Sequence, residues 1–235
     1  MSFVATISWL EEGPFALRRW AALMEDLPLF FESFLYTIGL AIGALILAFT
    51  LGTFLGILSS SRHVLIRIIT RIYVEFFQNT PLLIQVFFVY YGLPMVGIIW
   101  DTYTIGILCV GVYTSAYIAE VIRSGIQSIP KGQLEAGYSQ GFTYWGAMRH
   151  IILPQTFRII LPPLTNQVVN LIKNTSTVAI ISGADIMFRA NSWSSQNLHY
   201  VPAFAFAALL YFILCFPLTF LANHLEEKNS KAYAR

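Results

Sequence analysis

Apolar residues dominate five long stretches of the chain, and the charged residues are concentrated between these stretches. A membrane-spanning helix needs about 20 mostly apolar residues. The pattern therefore predicts spans at about 34–58, 72–93, 104–123, 157–181 and 201–223. Each stretch is continuous, whereas strands of an outer-membrane barrel would alternate apolar and polar residues, so we predict helices.

Composition supports a membrane protein, because 57% of the 235 residues are hydrophobic and only 11% are charged. Soluble domains carry about 25% charged residues. The two cysteines, Cys109 and Cys215, lie within apolar stretches and are expected to pack as small hydrophobic residues. The histidines lack metal-ligand spacing, so no metal site is predicted. The fold class expected is an all-α integral membrane protein with five transmembrane helices.

The basic residues predict the orientation of these spans, since Lys and Arg accumulate in cytoplasmic loops. One set of loops contains Arg62, Arg67, Arg71, Arg123, Lys131, Arg149, Arg158, Lys228, Lys231 and Arg235. The other set contains only Arg18, Arg19 and Arg189. We therefore expect the N-terminus outside and the C-terminus inside.

The expected organisation is a single transmembrane domain over residues 29–225, followed by a cytoplasmic tail over 226–235. Residues 1–28 mix charges with apolar side chains such as Trp9 and Trp20 and lack the pattern of a signal peptide. This N-terminal segment is either a helix lying on the membrane surface or a partly disordered tail.

The longest predicted cytoplasmic loop covers about 124–154 and reads as two short helices. The first would start at Ser128 or Pro130. It would end at Gly141, where a left-handed residue is favoured. Thr143 is a good N-cap for the second helix. We expect Leu153-Pro154 to break the chain before the fourth span.

The same loop carries a motif, Glu135-Ala136-Gly137 followed by Gly141 and then by Ile151-Ile152-Leu153-Pro154. It resembles the cytoplasmic coupling loop of the membrane subunits of binding-protein-dependent ABC importers. Alone, such a string is also compatible with an ordinary amphipathic loop capped by glycine. The resemblance implies an ATPase-coupling role for the 131–154 loop, through Gln133, Leu134, Glu135, Ala136, Gly137, Gly141, Leu153 and Pro154.

Further segments extend the resemblance to the polar amino acid (histidine/glutamine/glutamate/arginine-type) permease family. They are Phe76 to Gln85, Glu120 to Ile126, Ile152 to Arg158, Pro162 to Asn166 and Leu171 to Ser176, which together cover about residues 70–190. Two positions depart from the family pattern. Gln78 stands where an arginine is usual, and Gly137 stands where the third residue is usually alanine.

Membership would imply a type I ABC importer-like fold in the bacterial cell (inner) membrane. The implied partners are a dimer of ATP-binding subunits, a second permease subunit (the same or a similar chain), an extracytoplasmic substrate-binding protein and an amino acid, with no nucleic acid. The chain has no G-x-x-x-x-G-K-(S/T) motif, so it should not hydrolyse ATP itself. ATP and Mg²⁺ would be used by the partner ATPase, with no cofactor bound by this chain.

Polar residues within the predicted spans are candidates for the substrate pathway, because they are costly in lipid. Asn166, Asn170, Lys173 and Asn174 share one face of the fourth span. The pathway candidates are Gln85, Tyr117, Asn166, Asn170, Lys173 and Asn174. Interhelical hydrogen bonds, or an acidic partner for Lys173, would explain the same residues without a substrate.

Other patterns in the spans indicate packing and ion pairs. Gly39, Gly43, Gly52 and Gly56 recur at intervals that suit close helix packing. Glu75 and Glu120 lie near Arg71 and Arg123, and structural ion pairs are favoured for both.

Two other functional classes remain as alternatives. A membrane enzyme would need a nucleophile–base pair or a metal cluster, and the sequence shows neither. A channel or secondary carrier not coupled to ATP would not need a docking loop. The absence of an internal repeat and an odd number of spans favour pairing with a second subunit around a central pathway. The sequence leaves open the transported amino acid, the identity of that second subunit, and which subunit holds the substrate.

Overall fold

The computed structural model describes residues 13, 15–61 and 63–233, except for the side chains of residue 225 and of 228–233. The predictions made for Trp9, Arg62 and the basic tail residues lie outside these described parts. Helices account for the architecture, and the described residues contain no strand. The helices are α1 (Leu17–Glu25), α2 (Leu27–Ser59), α3 (Val64–Asn79), α4 (Leu82–Met95), α5 (Thr102–Gln127), α6 (Lys131–Ser139), α7 (Tyr144–Ala147), α8 (Leu153–Asn174), α9 (Ile186–Asn197) and α10 (Tyr200–Tyr233).

Three single helices, α2, α5 and α10, are long and apolar enough to cross a membrane. They match the first, third and fifth predicted spans and extend beyond the predicted ends. Helix α8 contains most of the fourth predicted span. Its polar stripe, formed by Asn166, Asn170, Lys173 and Asn174, lowers the hydropathy of this helix. The chain after α8 continues as a 3₁₀ helix over Thr175–Ile181. The count of five spans therefore stays a prediction.

The second predicted span is not one straight helix, as the sequence pattern suggested. It consists of α3 and α4, which are bent by 100° relative to each other. Thr80 and Pro81 between them adopt extended backbone conformations, with ψ angles of 136° and 133°. Proline lacks the N–H that would continue a helix and pushes the preceding residue out of the helical region. Local chemistry at Pro81 thus overrides the apolar periodicity.

The glycines of α2 allow it to pack closely along α5. A β-carbon on Gly52 would lie 2.8 Å from the Ile118 side chain, and one on Gly56 would lie 2.8 Å from Ile122. This arrangement confirms the interpretation of the glycine pattern as a packing surface. The main core is formed around this contact by buried residues of α2, α4, α5, α8 and the 3₁₀ helix.

A second core packs α9 between α2 and α10. Phe30 of α2 makes edge-to-face contacts with Trp193 and Phe206. The indole N–H of Trp193 donates a 2.7 Å hydrogen bond to Asp26. These contacts fix the turn between α1 and α2, and Leu23 of α1 belongs to the same core. The position of α1 at the membrane surface stays a prediction.

Candidate functional site

The first candidate site is the loop that contains α6 and α7. The end of α6 is a Schellman motif, in which the Phe142 N–H donates to the Gly137 carbonyl over 3.0 Å and the Gly141 N–H donates to Tyr138 over 2.9 Å. Gly141 has a φ of +83°, where a β-carbon would be strained. The prediction that Gly141 ends this helix in a left-handed conformation is therefore confirmed.

The second helix of the loop also starts where the sequence indicated. The Thr143 hydroxyl caps α7 by accepting a 3.2 Å hydrogen bond from the Gly146 N–H. The predicted break at Leu153-Pro154 is wrong, because the chain stays helical through a π-helical turn over Met148–Ile152 and into α8. Pro154 lies in the first turn of α8, where a missing N–H is tolerated.

Gly137 fixes the position of α6 against α7 and the π-helical turn that leads into α8. A β-carbon on Gly137 would lie 3.0 Å from Ile151 and 3.1 Å from Ala147. Gly137 is buried by this contact, whereas Gln133, Glu135, Ala136, Gly141, Leu153 and Pro154 are exposed and Leu134 is half-buried. The family-derived coupling residues thus form one mostly solvent-facing surface.

Three aromatic side chains that the sequence analysis did not select extend this surface. Tyr138, Phe142 and Trp145 are all exposed, and Trp145 retains 76% of its accessible area. Exposed tryptophan and tyrosine are enriched where proteins meet partners. The sequence signal that could have identified them was their position within or beside the loop that carries the coupling motif.

The second candidate site is a cavity of about 460 Å³ between α5 and α8, here called the polar cavity. Its lining residues are Tyr113, Thr114, Tyr117, Gln167, Asn170, Lys173 and Asn174. The cavity brings together four of the six pathway candidates. It also contains Tyr113, Thr114 and Gln167, which the sequence analysis missed although Tyr113 lies one helical turn from Tyr117.

The other two pathway candidates lie elsewhere. Asn166 is exposed on α8 but does not line the polar cavity. The Gln85 side-chain amide donates to the Thr80 hydroxyl over 2.8 Å and to the Phe77 carbonyl over 3.3 Å. Gln85 therefore stabilises the bend between α3 and α4 through local hydrogen bonds.

Several polar groups of the cavity have no partner among the described residues. The side chains of Gln167, Asn170, Lys173 and Asn174 make no hydrogen bond or ion pair with the described part of the chain. The Thr114 hydroxyl is buried and also without a partner there. The hydroxyls of Tyr113 and Tyr117 bond to each other over 2.9 Å. The interhelical hydrogen bonds considered for the α8 stripe are thus not formed with described residues.

The predicted ion pairs are present in the structure. Arg71 contacts Glu75 over 2.6 Å, and the Arg123 Nε donates to Glu120 over 2.8 Å. Both pairs line a separate cavity of about 440 Å³ between α3 and α5, which also includes Gln78. The Gln78 amide donates to the Ala116 carbonyl over 3.3 Å, so this position makes a neutral helix–helix contact.

Asp185 is the one fully buried carboxylate among the described residues, and it precedes α9. Its oxygens accept hydrogen bonds from the Met187 and Phe188 N–H groups and from the Tyr211 hydroxyl, over 3.1, 3.2 and 3.1 Å. Burial raises the pKa of Asp185 from 3.8 to about 6, against the lowering effect of these hydrogen bonds. At the exposed end of α5, Thr104 lowers the pKa of Asp101 through its hydroxyl and N–H groups.

Residues 48–231 match the family described as "Binding-protein-dependent transport system inner membrane component". The chain belongs to this family. It is 40% identical over 211 residues to the probable glutamine ABC transporter permease protein GlnM of Bacillus subtilis, a match that covers 90% of this chain and 98% of the relative. It is 34% identical to the probable amino-acid ABC transporter permease protein PatM of Vibrio harveyi, which covers 91% and 97% of the two chains.

Solved structures agree with this family. An amino acid ABC transporter crystallised with histidines has a TM-score of 0.83 and 31% identity to this chain, and the match covers 89% of this chain and 98% of the other. The methionine ABC transporter MetNI, in an inward-facing conformation, has a TM-score of 0.73 and 15% identity, and so shows the shared fold alone. It covers 87% of this chain and 98% of the other.

The chain is therefore a membrane-spanning permease subunit of an ATP-driven amino acid importer, with the type I ABC importer permease fold. It is a multi-pass protein of the cell (inner) membrane, and the ATPase activity lies in a separate subunit. The alternatives of an uncoupled channel or carrier and of a membrane enzyme do not hold.

Proposed function

We propose that the polar cavity is the part of the translocation pathway in which this permease holds its amino acid substrate. The observation that carries the proposal is the group of unpartnered polar side chains, with Asn170 and Lys173 on one helix and the buried Thr114 hydroxyl facing them from another. Asn170 and Lys173 are exposed on this chain, whereas leaving a buried hydroxyl such as that of Thr114 unpaired costs about 1–3 kcal/mol. Such a group is expected to face water, a partner subunit or a substrate.

The cavity also has suitable chemistry for an α-amino acid. Lys173 offers a cation to the α-carboxylate, and a charged group inside a membrane domain is by default a functional candidate. The carboxamides of Asn170, Asn174 and Gln167 offer oxygens to the α-ammonium group. The name of GlnM, a probable glutamine permease, supports a polar amino acid as the substrate.

We further propose that the 131–154 loop transmits the ATPase cycle to this pathway. The exposed coupling residues and the aromatic side chains Tyr138, Phe142 and Trp145 would dock in the ATP-binding subunit, which uses ATP and Mg²⁺. Because α6 packs through Gly137 on α7 and on the π-helical turn that continues into α8, movement of the docked loop would move the helix that carries Asn170 and Lys173. ATP and the loaded binding protein would then shift the population between inward-open and outward-open states.

The proposed assembly pairs this chain with a second permease subunit, identical or similar, and with two ATP-binding subunits. An extracytoplasmic binding protein would deliver the substrate. We propose five spans with the N-terminus outside and the C-terminus inside, based on the distribution of Lys and Arg. The bent pair α3–α4 and helix α8 would contribute the second and fourth spans.

Uptake into proteoliposomes tests the pathway proposal. The transporter would be reconstituted with its ATPase subunits and binding protein, and uptake would be compared with ATP hydrolysis. The double variant Asn170→Ala/Lys173→Gln should lower uptake about tenfold, while the ATPase subunits still copurify with it. Asn191→Ala is the matched control, because Asn191 is exposed on α9 and does not line the polar cavity. Unchanged uptake by the double variant would overturn the proposal.

A further inference from the structure

Lys173 is the only charged residue lining the polar cavity in the part of the chain that the structure describes. The remaining lining side chains are hydroxyls and carboxamides, which can donate or accept hydrogen bonds but carry no charge. Lys173 also lines a second cavity of about 290 Å³, whose other residues are Ser176, Met187, Phe204, Ala207, Ala208 and Tyr211. No carboxylate of the described residues lines either cavity, so neither cavity supplies one that could balance the charge of Lys173.

Among the described residues, two carboxylates adjoin residues that line these cavities, and both are already engaged. Glu120 is one helical turn along α5 from Tyr117, but it forms an ion pair with Arg123. Asp185 is fully buried, and its oxygens accept hydrogen bonds from two backbone N–H groups and from the Tyr211 hydroxyl. The uncompensated charge that faces a substrate is therefore positive.

We infer that the polar cavity discriminates by the charge of the substrate side chain, accepting carboxamide, ureido or carboxylate side chains and rejecting cationic ones. The inference rests on the proposed function, since it requires the substrate to occupy this cavity. The α-carboxylate neutralises Lys173, and the α-ammonium group uses carboxamide oxygens. A cationic side chain would place a second positive charge close to Lys173 without a free carboxylate to pair with.

The size of the effect follows from Coulomb's law. Like charges a few ångströms apart in a partly hydrated protein site repel strongly enough to weaken binding by tenfold or more. A carboxylate side chain meets no such repulsion, and a neutral side chain replaces water hydrogen bonds with those of Asn170, Asn174 and Gln167. Shape alone would not separate a neutral from a cationic ligand of the same length.

The pair L-citrulline and L-arginine isolates this effect, because the two have the same length and shape and differ by the charge of the ureido and guanidinium groups. Direct binding of each radiolabelled amino acid would be measured on the complete complex in nanodiscs, without nucleotide and without the binding protein. Omitting the binding protein removes its own selectivity. We expect L-citrulline to bind at least tenfold more tightly than L-arginine.

Two variants connect this preference to the cavity. Lys173→Gln should weaken L-citrulline binding and bring the ratio of the two affinities close to one. Asn170→Asp should shift the ratio toward L-arginine, because it places a carboxylate beside the cation. Asn191→Asp makes the same chemical change at an exposed position outside the cavity, and it should leave the ratio unchanged.

These binding measurements distinguish the proposed substrate pathway from the proposed charge selection. Equal binding of both amino acids that still depends on Lys173 and Asn170 would overturn the charge selection and leave the pathway proposal standing. Binding that ignores both variants, or no binding of either amino acid, would overturn the proposed pathway and the selection together. A ratio that shifts equally with Asn191→Asp would also overturn the assignment of selectivity to this cavity.

Discussion

Ile160 of α8 lies directly against the backbone of Gly125 of α5, so that a β-carbon on Gly125 would overlap the Ile160 Cγ2 methyl group. Both residues are buried. This contact joins the helix that supplies Tyr113 and Tyr117 to the helix that supplies Lys173. It is one of the close contacts that hold the two helices of the polar cavity together.

Gly125→Ala should force α5 and α8 apart, because overpacking a core costs about 1–3 kcal/mol. We expect the thermal aggregation midpoint of the purified complex to fall by several degrees. In an Ile160→Ala background, which removes the obstructing methyl group, the same substitution should lower the midpoint no further. An equal decrease in both backgrounds would show that this contact is not the cause.

Gly141→Ala should destabilise the coupling loop by about 1–2 kcal/mol, because an L residue is strained at its positive φ. Gly92→Ala is the matched control, since Gly92 lies within α4 and a β-carbon there would meet nothing within 4 Å. We expect less ATPase subunit to copurify with Gly141→Ala and no loss with Gly92→Ala. Equal recovery for both variants would argue against a role for the Schellman motif in docking.

Trp145→Ala should weaken association with the ATPase subunit by at least tenfold, because exposed tryptophans that become buried at interfaces are frequent hot spots. Trp145 is 76% exposed in this chain, so its removal should cost little stability. Trp100→Ala, in the loop before α5, provides a control of the same residue type. The measurement is binding of the purified ATPase subunit to permease in nanodiscs. Full affinity of Trp145→Ala would place the docking surface elsewhere.

Asp185 should make the stability of the fold depend on pH. Its pKa is raised to about 6 in the folded protein, so between roughly pH 4 and 6 the folded state binds more protons than the unfolded state. As the pH falls from 7 to 5, protonation of Asp185 therefore raises the free energy of unfolding by about 1 kcal/mol. The thermal midpoint of the unmodified chain should rise over this pH range. The midpoint of Asp185→Asn should not show this rise. Parallel pH profiles for the two proteins would contradict the assignment.

Local structure that depends on a few neighbouring residues was predictable in part from the sequence. The ends of α6 and α7 were predictable, because a left-handed glycine such as Gly141 and an N-cap such as Thr143 act on hydrogen bonds within a few residues. The continuous helix at Pro154 was not predictable, because a proline between two apolar stretches can lie in the first turn of a helix as well as end one. The 100° bend at Pro81 was missed for the same reason.

The membrane environment, the long helices and the family were predictable, because they depend on composition, on runs of apolar residues and on motifs read along the chain. Which polar residues meet depends instead on the tertiary packing of the helices. It placed Tyr113 and Gln167 with Lys173 and directed Gln85 into the bend between α3 and α4. Periodicity gives the face of a helix on which a residue lies, but the partner of that face depends on how the helices pack, and here that packing is set by close contacts such as Gly125 against Ile160.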